Sequence, residues 1–329
     1  MRIFSGIQPT GRKHLGNYIG AIRQYVEGQD RGDPAIYCIV DLHAVTVPYQ
    51  PDALRAAVLD TTAMLLAAGL DPERCVLFRQ GDVPEHTELC WLLTAVTAHG
   101  ELNRMTQFKE KSAKQKELVS AGLFLYPVLQ AADVLAYRAH EVPVGEDQRQ
   151  HIELMRNVAI RFNERFGETL VVPEHRIPEI GARIMDLQSP SDKMSTTAPS
   201  EAGTLLVLED EKSIIKKVKS AVTDSGSEVR VADDKPGISN LIEILAVIRG
   251  VDHGAIEREF EGQQYGAFKG AVAEAVVEYL RPVRERYEQI RPDEAAIQAT
   301  LAEGAERAQA MAAETVADVR AAMGVGPPA

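Results

Sequence analysis

The sequence predicts an α/β protein on a doubly wound parallel sheet, followed by an all-helical region. Three observations carry that reading. The runs at 2–5, 35–40 and 75–78 are short and nearly continuous in apolar residues, as strands buried on both faces are. Between them, 14–27 and 54–66 place apolar residues at helical spacing. Beyond about residue 200, helical spacing fills nearly all of the chain.

Strand 2–5 leads to the turn Pro9-Thr10-Gly11, and helix 14–27 follows with Leu15, Ile19, Ile22 and Val26 on one side. Strand 35–40 is bounded by Gly32-Asp33-Pro34. Leu54, Val58, Leu59, Thr62, Leu65 and Leu66 mark an amphipathic helix ended by Gly69, with Pro72 beyond. Strand 75–78 and helix 85–98 complete an alternation that places ligands beyond the carboxyl ends of the strands. Residues 100–163 read as mainly helical around one short strand, 142–144. Pro173 and Pro178 lead through a strand-like apolar segment, 182–187, into the hydroxyl-rich loop 189–200. Helices are expected at 213–221, 238–249, 267–290 and 296–323. In the last, Ile297, Leu301, Ala305, Ala308, Ala312, Val316, Val319 and Met323 form a core-facing stripe. No repeat is evident, and only 324–329 reads as a loose end. The expected organisation is a Rossmann-like domain over 1–188, with a helical insertion at about 101–170, and a mobile loop plus helical domain over 189–329.

At 329 residues, 45% hydrophobic and 26% charged, the chain has a globular composition that excludes disordered and collagen-like architectures. No stretch approaches the ~18 uninterrupted apolar residues of a membrane span. Met1 runs straight into strand-like sequence without a targeting pattern, so a cytoplasmic location is expected. Cys38, Cys75 and Cys90 lie in or beside apolar runs without metal spacing and read as small buried hydrophobes, so zinc and iron–sulfur centres are not expected. Lys plus Arg total 36 against 48 Asp plus Glu, a net charge of −12 that argues against non-specific coating of nucleic acid. A local basic face can still act within a Debye length of ~8–10 Å.

Four segments carry chemistry. Gly6-Ile7-Gln8-Pro9-Thr10-Gly11 resembles a P-loop, but Arg12, Lys13 and His14 follow where Lys-Ser/Thr is required, which excludes a P-loop nucleotidase or kinase. Behind it, His14-Leu15-Gly16-Asn17 opens a helix whose N-terminus suits phosphate, and Gly16 admits a planar group close to the backbone; taken alone, His14 also reads as a solvated helix residue. Tyr126, Gln130, Asp133 and Tyr137 share one helix face, with Asp133 inside an apolar run. Burying that carboxylate demands a partner, either a structural ion pair or a polar ligand group. In Val142-Pro143-Val144-Gly145-Glu146-Asp147-Gln148 the two carboxylates either cap a helix or bind ribose hydroxyls. Asp192-Lys193-Met194-Ser195-Thr196-Thr197 is either a linker or a clamp on phosphates. The charge run 107–116 reads as a solvated helix face.

Together these segments resemble a class I aminoacyl-tRNA synthetase, and specifically the bacterial-type tryptophanyl-tRNA synthetases. Residues 9–17 are similar to that family's HIGH motif and Lys193-Met194-Ser195-Thr196-Thr197 to its KMSKS loop, and the blocks at 6–11, 105–112, 142–148, 220–225 and 235–241 occur in the family's order. The resemblance implies ATP, with magnesium, as substrate beside L-tryptophan and tRNA(Trp), and no permanently bound cofactor. It implies that Gln8, Pro9, Thr10, Gly16 and Asn17 cradle ATP, Gly145, Glu146 and Asp147 take its ribose side, and Ile184 lines the adenine. Lys193, Met194, Ser195, Thr196 and Thr197 would close over the phosphates with Lys111, and His14 and Asn17 would serve the reaction. Asp133 would accept the indole N–H; Tyr126, Gln148 and Gln8 would hold the amino and carboxylate groups; Phe4, His43, Val142 and Val144 would line the ring. The resemblance also implies a homodimer and an anticodon-reading helical domain. Two residues depart from the family pattern: Thr196 replaces the second lysine, with Lys111, Lys109 or Lys114 as candidate substitutes, and Gln130 stands where methionine is expected. Gln130 followed by Asp133 is also the tyrosine-specific pattern, so a tyrosyl enzyme is the alternative within the family, and a non-catalytic RNA-binding relative the alternative outside enzymes. For tRNA, the expected basic face is Lys212, Lys216, Lys217 and Lys219, with Arg281, Arg284 and Arg286.

Overall fold

The computed structural model describes residues 1–9, 12–32, 34–109, 119–143, 148–176, 183–196 and 200–327. Five parallel strands, β1 (Ile3–Ile7), β2 (Ala35–Ile39), β3 (Val76–Arg79), β4 (Glu141–Pro143) and β5 (Glu174–Arg176), form one sheet in the order β3-β2-β1-β4-β5. Alternation along β2 shows that both faces are buried. Ala35, Tyr37 and Ile39 enter one apolar core, and Ile36 and Cys38 enter the other.

The first core is closed by α1 (Leu15–Asn17), a π-helical turn (Tyr18–Ile22), α2 (Arg23–Asp30) and α4 (Pro51–Ala68), which Gly69 terminates at φ 114°. Short α3 (Asp41–Ala44) follows β2 directly. The second core is closed by α5 (Glu85–Thr94), α6 (His99–Asn103), α7 (Ala121–Leu135) and α8 (Arg149–Phe166). The C-terminal helices are α9 (Glu211–Lys219), α10 (Pro236–Arg249), α11 (His253–Glu259), α12 (Tyr265–Ile290) and α13 (Glu294–Met323). They continue the first core, through Ile214, Leu241, Phe268 and Leu280 among others.

α13 contributes to both cores. Ile297 and Leu301 enter the first, and Ala305, Ala308, Ala312, Val316 and Val319 enter the second. The helix therefore crosses the sheet at its edge strand β3. Gly304 sits at the crossing, where an added Cβ would lie 1.8 Å from the Leu77 carbonyl oxygen. Only a residue without a side chain lets the helix lie on that strand. The stripe expected from spacing is buried from Ile297 to Val319, and Met323 is partly buried.

Two sequence expectations need correction. The strand-like segment 182–187 forms no ladder strand among its described residues; Met185 makes only an isolated antiparallel bridge with Lys193. The fifth strand forms instead at Glu174–Arg176, within the Pro-rich stretch. A short strand at a sheet edge need not be apolar, so hydropathy did not mark it. The helix expected over 85–98 ends at Thr94.

Candidate active site

The sheet order reverses between β1 and β4, the switch point at which doubly wound sheets open a crevice beyond their strand ends. A cavity of about 320 Å³ occupies that place. β1 and the residues after it supply Phe4, Ser5, Gly6 and Gln8; α7 supplies Tyr126, Gln130, Asp133 and Val134; β4 supplies Val142 and Pro143. Val40, His43, Gln107 and Gln148 complete the wall. Phe4, Gln8, His43, Val142 and Gln148, implied by the family resemblance, are thus brought together with Tyr126, Gln130 and Asp133, marked by helix spacing; Val144 lies outside the described residues. Gln107, read as part of a solvated charge run, is instead a wall residue.

Asp133 is 2% exposed and fully hydrogen-bonded on one side. Its Oδ1 accepts from Gln80 Nε2 at 2.6 Å and from His86 Nδ1 at 2.6 Å, and its Oδ2 accepts from His43 Nε2 at 2.7 Å. Burial pushes the Asp133 carboxyl up, but the adjacent His43 and the hydrogen bonds from His43 and His86 outweigh it and hold the group well below the usual carboxylate range. His86 in turn meets the Tyr137 hydroxyl through Nε2 at 2.6 Å. Tyr137, expected on the same helix face as Asp133, lies in the turn beyond Leu135, where α7 ends, and reaches the carboxylate only through His86. Gln80 and His86 themselves had no signal in the sequence. Tyr126, also buried, bonds His151 Nε2 at 2.8 Å, and Gln130 Nε2 lies 3.5 Å from the side-chain Oε1 of Gln148.

The second cluster begins where β1 ends. His14 caps α1: its Nδ1 accepts from the Asn17 N–H at 3.3 Å, while the Asn17 Oδ1 accepts from the His14 N–H at 3.2 Å. The ring is 6% exposed, which excludes a solvated helix position. Burial first, and the charges of Lys193 and Lys13 second, push the His14 imidazole down to about 4. A Cβ on Gly16 would meet the His14 ring at 3.1 Å and Ile184 at 3.6 Å, so the absence of a side chain there lets the His14 ring cap the helix closely. Lys13, to which the sequence analysis assigns no role, donates from Nζ to the Gln8 carbonyl at 2.8 Å and ties the two ends of the loop. Burial pushes its ammonium down to about 8.

The chain at 205–207 meets this cluster through its backbone: the Leu15 N–H donates to the Leu205 carbonyl at 2.8 Å, and the Val207 N–H to the Lys13 carbonyl at 2.9 Å. Met194 N–H donates to the Ile184 carbonyl at 3.0 Å, and the Thr204 hydroxyl donates to the Ser195 carbonyl at 2.8 Å. Met194 is buried, whereas Lys193 and Thr196 are exposed. Thr10, Lys111, Lys114, Gly145, Glu146, Asp147 and Thr197 lie outside the described residues.

The expected basic face is only partly one. Lys212, Lys216 and Lys219 are exposed on α9. Lys217 is spent inside the molecule, 2.6 Å from Glu209 and donating to the Thr204 carbonyl at 2.8 Å. Arg281 and Arg284 share Glu211, and Arg286 donates to the Ala67 carbonyl at 3.3 Å. These arginines fasten α12 to its neighbours, because α12 packs against both α4 and α9. Among the described residues no helix is long and apolar enough to cross a membrane.

Residues 1–281 match the family described as tRNA synthetases class I (W and Y). Tryptophan–tRNA ligase 2 of Streptomyces avermitilis is 54% identical over 318 residues, covering 96% of this chain and 94% of that protein. The tryptophan–tRNA ligase of Caldanaerobacter subterraneus is 49% identical over 325 residues, 98% of each. The crystal structure of tryptophanyl-tRNA synthetase from Campylobacter jejuni complexed with ADP and tryptophan matches with a TM-score of 0.85 at 33% identity, covering 99% of this chain and 100% of that one. The chain belongs to the class I tRNA synthetases of the tryptophan and tyrosine type and, within them, to the bacterial tryptophanyl-tRNA synthetases.

Proposed function

We infer that the chain is a tryptophan–tRNA ligase that joins L-tryptophan to ATP, releasing pyrophosphate, and then passes the tryptophanyl group to the 3′ end of tRNA(Trp). The observation that carries this reading is the buried, ionised Asp133 in the wall of a cavity at the switch point, beside the loop that bears Gln8. The amino-acid carboxylate attacks the α-phosphorus in line and expels magnesium-bound pyrophosphate, so no protein base is needed. Catalysis is positioning and charge stabilisation. The indole N–H donates to Asp133 between the Phe4 and Val142 walls, with Gln8, Tyr126 and Gln148 toward the amino and carboxylate groups. Gln8, Pro9, Thr10, Gly16 and Asn17 hold ATP, with Ile184 on its adenine and Gly145 to Asp147 on its ribose. Magnesium enters with the nucleotide. Lys193, Ser195 and Thr196 face the phosphates, with Lys111 supplying charge that Thr196 lacks. The helices after residue 189 bind the anticodon arm, and the active form is a homodimer in the cytoplasm.

ATP–pyrophosphate exchange with tryptophan, tyrosine and phenylalanine tests this. Exchange driven by tryptophan alone is expected; exchange driven by tyrosine moves the specificity to the alternative that Gln130 suggests, and no exchange with any of the three removes the enzyme reading. Lys111→Ala is expected to slow exchange as Lys193→Ala does. An unchanged rate in Lys111→Ala beside an impaired Lys193→Ala takes Lys111 out of the site.

A further inference from the structure

The Asp133 carboxylate is asymmetric in its surroundings. His43, the partner of Oδ2, lines the cavity, whereas Gln80, His86 and Tyr137, the group behind Oδ1, do not. Two donors fill both lone pairs of Oδ1, so the carboxylate has no freedom to rotate, and Oδ2 turns its remaining lone pair to the cavity. A carboxylate accepts from His86 Nδ1 only if that nitrogen carries a proton. The Tyr137 hydroxyl donating to Nε2 fixes that tautomer. His86 is fully buried, and Tyr137 is held by stacking on Phe4 with ring centroids 5.6 Å apart, so the chain behind the carboxylate is anchored in the same wall that lines the cavity.

We propose that His86, with its tautomer set by Tyr137, is a specificity-determining positioning residue: it locks Asp133 so that one carboxylate lone pair is presented to a ring N–H in the cavity. This rests on the reading that Asp133 accepts the indole N–H. His86 touches no substrate. Its contribution is to remove the rotamers and the shared proton that would let Asp133 tolerate a ring without a donor. A carboxylate fixed in this way leaves an unpaired buried charge whenever the ligand lacks an N–H, and that is what makes discrimination steep.

The test compares tryptophan with 3-benzothienyl-alanine, which carries sulfur where the indole has N–H, by the ratio of their kcat/KM values in pyrophosphate exchange. The unmodified enzyme is expected to favour tryptophan by about a hundredfold or more. His86→Leu should lower that ratio by about tenfold or more, chiefly because the analogue without an N–H is penalised less, and His86→Asn, which keeps a donor near the Nδ1 position, should restore most of it. A loss of general structure would depress both substrates alike and leave the ratio in place. Tyr137→Phe removes a single hydroxyl and should lower the ratio by a few-fold; it decides the matter if His86→Leu does not fold. A ratio unchanged in the folded variants overturns the role of His86. An unmodified enzyme that does not distinguish the two substrates overturns the reading of Asp133 instead.

Discussion

Asp133 is ionised in a place that would ordinarily neutralise a carboxyl group, because three donors meet it there. Its folded-state pKa is depressed below the ordinary 3.8, so its contribution to stability is present above about pH 4 and is lost as pH falls further. Asp133→Asn sets its single amide N–H₂ against a donor whichever way the amide turns, because donors meet both carboxylate oxygens. We expect a loss of roughly 3–5 kcal/mol in urea unfolding and a fall in tryptophan kcat/KM of about a hundredfold. His14 runs through a higher pH window. Its folded value of about 4 lies below the unfolded 6.5, so the unfolded chain takes the proton first, and stability is lost as pH falls from about 6.5 to about 4. The His14 ring resonances are accordingly expected to stay constant from pH 8 down to about 5.5, with a midpoint near 4. A midpoint near 6.5 in the folded protein would show that the ring is solvated.

At the scale of elements, the governing contact is α13 on the edge strand β3. It covers a strand edge that would otherwise be open to pairing with another chain. Gly304→Ala forces the helix off the Leu77 carbonyl, and we expect it to cost about 2–4 kcal/mol in a denaturant midpoint. Gly270, inside α12, has nothing within 4 Å of an added Cβ. Gly270→Ala should therefore stabilise by about 0.5–1 kcal/mol, through helix propensity alone. Opposite signs for the same substitution separate close packing from propensity. Spacing marked the α13 stripe because each of its residues repeats locally. It was silent on Gly304, because the reason for that glycine is a strand more than two hundred residues away in sequence.

Across the whole molecule, the acidic chain with net charge −12 confines its free lysines on α9 to Lys212, Lys216 and Lys219. Reversing those three should weaken tRNA binding and flatten its salt dependence by up to about one unit of log–log slope per lost phosphate contact. Arg284→Glu should instead lower the melting temperature, because Arg284 holds Glu211 and the Glu209 carbonyl. The first three strands with their helices, the buried stripe of α13 and the wall residues Tyr126, Gln130 and Asp133 were legible from periods of two and 3.6 residues, whereas Phe4, Gln8, His43, Val142 and Gln148 were legible only through the family resemblance. The tertiary structure alone decided which donors meet Asp133, because His43, Gln80 and His86 lie 90, 53 and 47 residues from it along the chain. It also decided that Lys217 and Arg284, whose side chains are 12% exposed, are paired with Glu209 and Glu211 rather than free on a face. Local periodicity sets which side of an element is apolar, whereas the partner of a buried charge is fixed only when distant segments are packed against each other.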